Sequence, residues 1–258
     1  MNGNFQFAGA FAYSRVRDVQ TLLSVTALDG WQFGRALSGR QDDERVGVSG
    51  YDLPLRIVFT TTYSFPWRRW RTDVSVVYLG EAGFPFTYLA NADPRFGDLN
   101  ADGANQNDPV YLPTNVYDTS EIRFEPTPSA DVATQQAAFD KFLSSTPCLN
   151  TQRGRIMARN SCRSPWRNTL NLSLRQSLPY RQGQALLLEV DIFNFLNLLN
   201  RDWGQLKAPN TALLAQTRQT PGLLESQPVF RFNPNFTPYA VQSPYSYYQI
   251  QVAARVSF

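Results

Sequence analysis

In six stretches of this chain apolar and polar residues alternate one by one. That period of two makes each stretch a strand with one oily and one wet face. Between Asn4 and Ser14 the odd positions carry Phe5, Phe7, Gly9, Phe11 and Tyr13, and the even ones Gln6, Ala8, Ala10, Ala12 and Ser14. Between Leu53 and Phe65 the oily set is Leu55, Ile57, Phe59, Thr61, Tyr63 and Phe65, set against Arg56, Thr60, Thr62 and Ser64. From Arg71 to about Phe84 the pattern is weaker: Val74, Val76 and Tyr78 oppose Asp73 and Ser75, but Val77 and Leu79 are also apolar. It sharpens again between Asn168 and Leu178, where Leu170, Leu172, Leu174 and Leu178 oppose Asn171, Ser173, Arg175 and Ser177. From Gln184 to about Asn197, Leu186, Leu188, Val190 and Ile192 oppose Glu189 and Asp191. Finally Tyr248, Ile250, Val252, Ala254, Val256 and Phe258 oppose Gln249, Gln251, Arg255 and Ser257.

Such strands suit either a soluble sandwich, whose oily face is core, or a membrane barrel, whose oily face meets lipid. They are longer than the usual five or six residues of a soluble strand. The connections separate the two readings. Two are short, Pro66 to Trp70 and Pro179 to about Gly183. Three are long, Arg17 to about Gly50, Pro85 to about Pro165 and Arg201 to about Tyr245. Short and long alternate strictly, as periplasmic turns and extracellular loops do in outer-membrane barrels, and the longest is abnormal for a compact soluble domain. The expected fold is therefore all-β: an antiparallel transmembrane β-barrel segment with long extracellular loops, its two ends on the periplasmic side. Phe65, Trp67, Trp70 and Tyr180 beside the short turns fit the membrane–water boundary, where a ring with one apolar and one hydrogen-bonding end is favoured.

Six strands are fewer than the eight of the smallest single-chain barrels, and an open sheet in lipid leaves backbone groups unpaired. Residues 1–258 are thus expected to be an open curved sheet belonging to a larger barrel. No basic, apolar and small-residue leader precedes the first strand pattern, which agrees with a fragment.

Other classes recede. No run approaches the roughly 18 apolar residues of a spanning helix. Aromatics make up 14% of the chain, too many for disorder. The net charge is +3, and the basic residues, nearly all Arg, are scattered rather than clustered on one face, so no nucleic acid is expected as a partner. The chain has no histidine, and it shows neither a nucleophile elbow nor a glycine-rich phosphate loop. An enzyme is not expected.

Several segments resemble the C-terminal barrel portion of TonB-dependent outer-membrane receptors, in the Oar-like branch. Tyr51-Asp-Leu-Pro-Leu-Arg56 resembles the motif that leads into a strand, with Leu55 where the family often has His. Gly83-Phe-Pro-Phe-Thr-Tyr88, Gly97-Asp-Leu-Asn-Ala-Asp-Gly103 and Asn107-Asp-Pro-Val-Tyr-Leu-Pro113 resemble the long-loop signature. Cys148-Leu149, Gln152-Arg-Gly-Arg-Ile156 and Pro165-Trp166 resemble the return into the next strand. Asp191-Ile-Phe-Asn-Phe-Leu-Asn197 with Asn200-Arg-Asp-Trp-Gly204 resembles the penultimate strand. The resemblance implies the last six of about 22 strands, in the outer membrane of a Gram-negative-type bacterium. It implies a plug and upstream strands elsewhere in the receptor, and as partners TonB, membrane lipid and a ligand not identified by the sequence. The function it implies is uptake or secretion-linked transport. A porin-like barrel closing by oligomerisation and a secreted calcium-dependent binding module are the alternatives. Gln251, Ala253, Val256 and Phe258 resemble the signal read by the barrel-assembly machinery, with Ala253 in place of the usual Gly.

Four further sites follow from residue types. Asp98, Asn100 and Asp102 stand at positions 1, 3 and 5 of a Ca²⁺-type loop with Gly103 at 6. Asp108 is one place short of the usual bidentate acid, so Ca²⁺ is a candidate cofactor and a polar Asx turn the plain reading. Cys148 and Cys162, the only cysteines, share one loop in an oxidising compartment and are expected to be bridged. Arg175, Glu189, Asp191 and Arg255 fall on the wet, lumen-facing side and are expected to pair with one another. Ser129 to about Ser144 reads as a short loop helix on the barrel mouth, capped by Ser129, with Val132, Gln136, Phe139 and Phe142 near one face.

Overall fold

The computed structural model describes residues 4–22, 25–33, 45–67, 70–90, 97–100, 104, 107–181, 184–218 and 227–257. Six long strands form one sheet: β1 (Phe5–Tyr13), β2 (Leu55–Pro66), β3 (Arg71–Glu81), β4 (Arg167–Arg181), β5 (Gln184–Phe193) and β6 (Gln249–Ser257). Their spatial order is their sequence order, and every neighbouring pair is antiparallel. Among the described residues the outer edges of β1 and β6 meet no other strand, so the sheet is open. Sequential hairpins alternating with long excursions leave no other simple topology.

The register carries the alternation across the sheet. One row runs Phe7, Thr61, Val76, Leu172, Ile192, Ile250, and the next Phe5, Tyr63, Val74, Leu174, Val190, Val252. The reverse face carries Gln6, Thr62, Ser75, Ser173, Asp191, Gln251 in one row. Among the described residues no second layer packs on the apolar face. Phe11 is 66% and Val252 74% exposed, and among the described residues no apolar side chain of the six strands is buried. A sandwich would bury that face under a second layer, and none of the described residues forms one.

Polar groups do occur on the apolar face, at two levels. Near the short turns Trp67 Nε1 donates to Thr72 Oγ1 at 2.9 Å, and Thr72 Oγ1 to Gln176 Oε1 at 2.6 Å. Near the long connections Tyr78 and Trp166 both donate to Asn168 Oδ1, at 2.7 and 2.9 Å. From Trp70 to Gly80, the partner of Asn168, the strand rises about 33 Å, or about 25 Å of height at a tilt of about 40°, the height of a barrel's apolar band.

The long connections are folded together into a cap. Helix α1 (Ala27–Phe33) lies in the first. The second holds α2 (Val132–Ser145) and α3 (Pro147–Asn150), and the third opens with α4 (Phe195–Leu199). Three expectations are corrected here. The cap of α2 is Asp131, not Ser129: its carboxylate accepts from Thr134 N at 2.7 Å, the usual N-cap bond, and the hydrogen bonds hold Asp131 below the ordinary carboxylate range. The buried stripe is Gln135, Phe139 and Leu143, not the expected Val132, Gln136, Phe139 and Phe142, and Phe139 and Leu143 pack into the cap's core. The strand expected to run to about Asn197 ends at Phe193, because Asn194 takes a left-handed φ of 51°, a conformation Asn tolerates better than most residues.

With the apolar face in lipid, Leu172→Arg and Val190→Arg should each cost about 2–4 kcal/mol near mid-membrane. Ser173→Arg lies across from Asp191, which it can neutralise, and should be tolerated. The folded, heat-modifiable fraction of the full-length protein in outer membranes reads the contrast. Equal damage at Ser173 would mean that the faces are exchanged.

Candidate functional site

The polar face of the sheet carries two belts of charge. At the long-connection end Glu81 sits between Arg56 and Arg167, at 4.0 and 3.8 Å. Nearer the short turns Asp73 accepts from Ser64 Oγ at 2.5 Å and Arg71 Nε at 2.6 Å, and Arg175 meets Glu189 directly across β4 and β5, Nη2 to Oε1 at 2.6 Å. All four charges expected to share a face do so, but only one expected pair forms. Asp191 stands opposite Ser173 and Gln251, and Arg255 opposite Leu187. Among the described residues neither makes an ion pair, because the register sets Asp191 and Arg255 two steps apart.

The cap has the molecule's hydrophobic core. Phe86, Tyr88, Val110, Leu112, Phe139 and Met157 are buried there with Leu214 and Phe232 of the third connection. Phe139 lies 5.1 Å from the Phe232 ring and Phe142 5.3 Å from that of Phe236. Gln135, fully buried, joins the two connections. Its Nε2 donates to Glu125 O at 2.8 Å, and its Oε1 accepts from Phe232 N at 2.9 Å. Each polar group of the side chain is used, which is what makes its burial affordable. Burial lifts the Tyr88 hydroxyl well above the usual tyrosine range, with a smaller push from Tyr239, whose own value burial also raises.

Two ion pairs, each with one buried partner, tie the first connection to the second. Asp52 accepts from Val16 N at 2.6 Å and pairs with Arg163. Arg159, with 1% of its side chain exposed, bonds Asp18 at 2.5 Å. Removing the more exposed partner, Asp18 or Arg163, strands the buried charge of Arg159 or Asp52, a destabilising change whose upper bound is that of a fully buried pair, about 3–5 kcal/mol. Two glycines permit close passage. A Cβ on Gly83 would fall 1.8 Å from Ser164 O, and one on Gly204, already at φ +64°, 2.0 Å from Asn194 Oδ1.

Cys148 and Cys162 form the expected disulfide, their Cα atoms 5.3 Å apart. The calcium-type residues are placed in part. Asp98 and Asn100 are half-buried and Asp108 is buried, its Oδ2 accepting from Leu99 N at 3.1 Å. Asp102 lies outside the described residues, and among those described no three metal-ligating side chains converge. Of the assembly-signal residues, Gln251 and Ala253 lie on the polar face of β6, opposite Asp191 and Glu189, and Val256 on the apolar face opposite Leu186. Phe258 is outside the described residues. Sequence reasoning missed Asp52, Arg159, Arg163 and Gln135. Asp52 stands inside a recognised motif; the other three have partners too far along the chain for local spacing to find.

Two outcomes follow. Cys162→Ser opens a loop whose closure is worth about 3 kcal/mol. It should make the cap sensitive to protease while the strands stay resistant. In alkaline titration the cap's tyrosines give a signed effect. Their hydroxyls are harder to ionise folded than unfolded, so their contribution is complete below the ordinary value of 10.0 and is lost as pH rises toward the folded values. Near-ultraviolet circular dichroism should report cap loosening above about pH 10, with a shallower slope in Tyr88→Phe.

Comparison with curated proteins finds no match. Comparison with solved structures finds none either. The family model described as outer membrane beta barrel domain matches residues 1–229, which take in the cap's second connection and five of the six strands. That match places the chain in the outer membrane of a Gram-negative-type bacterium. With an open antiparallel sheet whose apolar face is bare, the chain belongs to the outer membrane beta barrel domain family.

Proposed function

We propose that this chain forms the barrel wall and extracellular cap of a TonB-dependent receptor or transporter of the Oar-like branch. In this reading further strands of the receptor meet β1 and β6, and a plug fills the lumen. The observation that carries it is the join of an open sheet to a packed cap. Two bare edges in lipid cost several kcal/mol for each unpaired backbone group, so other strands must meet them. A cap with its own core presents a fixed surface to a ligand, as a receptor requires.

The segments that resemble this branch support the reading by meeting in one place. Phe86 and Tyr88, Val110 and Leu112, and Leu149 come from separate motifs and share one cluster. Arg175, Glu189, Asp191 and Arg255 then line the lumen beside the transport route. Gln251, Ala253, Val256 and Phe258 hand the strand to the barrel-assembly machinery. The chain acts by binding and conducting, with no covalent chemistry of its own.

In cells carrying the full-length protein, formaldehyde cross-linking should yield an adduct that contains TonB, and sedimentation in detergent should find one copy per particle. A barrel closed by several copies of this chain, with no TonB adduct, would replace the receptor reading with the oligomeric one.

A further inference from the structure

Where residues 45–48 pass the disulfide-closed segment, the cap encloses a cavity of about 770 Å³, within the size range of small-molecule sites. Arg17, Arg45, Arg155 and Arg159 line it, and among its described lining residues there is no carboxylate. Val46, Val48 and Ile156 give it an apolar wall.

Solvated surface arginines would be the plain explanation, and Arg159 argues against it. Its guanidinium is buried. Asp18 holds Nη2 alone, through its carbonyl at 2.6 Å and its carboxylate at 2.5 Å, while Nε and Nη1 have no hydrogen-bond partner. Donors are seldom left so inside a protein, because their loss of water is not offset. The same side chain also lines a second cavity of about 240 Å³, so there is space beside it. Of its neighbours, Arg155 donates to Thr151 O at 3.2 Å, and neither Arg17 nor Arg155 has a carboxylate partner among the described residues. Like charges brought together at a partly enclosed site repel unless an anion joins them. Guanidinium forks match carboxylate and phosphate oxygens two at a time.

We propose that this cavity binds a small multivalent anion, one that carries two or more carboxylate or phosphate groups, with Arg17 and Arg155 at the mouth and Arg159 at the wall. The site belongs to the cap. The proposal goes beyond the receptor reading and does not require TonB.

The test is isothermal titration of the full-length protein in detergent, with pyrophosphate in one arm and citrate in the other, which tells phosphate from carboxylate chemistry. At least one should bind. The double variant Arg17→Gln/Arg155→Gln should bind it more weakly by about tenfold for each arginine, with the barrel still heat-modifiable. Arg159→Lys keeps a charge beside Asp18 but loses the planar fork, and should also weaken binding. Arg123→Gln, exposed and away from the cavity, should change nothing. Binding of neither anion by the wild-type protein would overturn the proposal. So would an Arg123→Gln variant as weak as the double variant, since that marks binding by overall charge alone.

Discussion

A backbone N–H or C=O in lipid has no water to bond, so each must find a partner within the protein. The rest of the structure depends on this constraint. A helix can satisfy it only with a long apolar run, which the alternating sequence does not provide, so the membrane-facing part of the chain meets it with long paired strands. The constraint also explains why sequence order and spatial order coincide from β1 to β6: each hairpin supplies the next partner at once. And it gives the free edges of β1 and β6 their meaning, since a sheet that is complete in water is incomplete in lipid.

The hydrophobic effect works in two directions on this molecule. In the sheet, apolar side chains point away from the protein and toward solvent lipid: Val76, Leu172 and Ile192 stand side by side along one row, and Phe7 stacks on Phe59 of the next. In the cap, apolar side chains turn inward around Phe139, as in any water-soluble domain. The boundary between the two regimes is marked chemically by Asn168 with Tyr78 and Trp166, and the sheet's opposite margin, at the short turns, by Thr72 with Gln176 and Trp67. The cap's ion pairs, Asp52 with Arg163 and Asp18 with Arg159, hold the first connection against the second.

The strands were legible because their signal is local. A period of two needs only neighbours, and Leu170 to Leu178 declares its faces without knowledge of what lies beside it. The cap was not legible for the opposite reason. Its strands are mostly two or three residues long, too short for any period. Its decisive contacts, such as Gln135 with Phe232 and Arg159 with Asp18, join positions that nothing in the intervening sequence connects. The helix was found but its cap misplaced, since Ser129 and Asp131 are both competent N-caps and tertiary packing chose between them. The break at Asn194 was missed because the residues after it, Phe195 to Leu199, remain apolar and mimic a continuing strand.

The central claim is that the sheet's bare apolar face lies in lipid and its polar face in water. Spin labels placed one at a time from Asn171 to Gln176 in the full-length protein, in membranes, test it directly. Collision with oxygen, which concentrates in lipid, should peak at Leu172 and Leu174. Collision with a water-soluble nickel reagent should peak at Ser173 and Arg175. A pattern in the opposite phase, or none, would contradict the account.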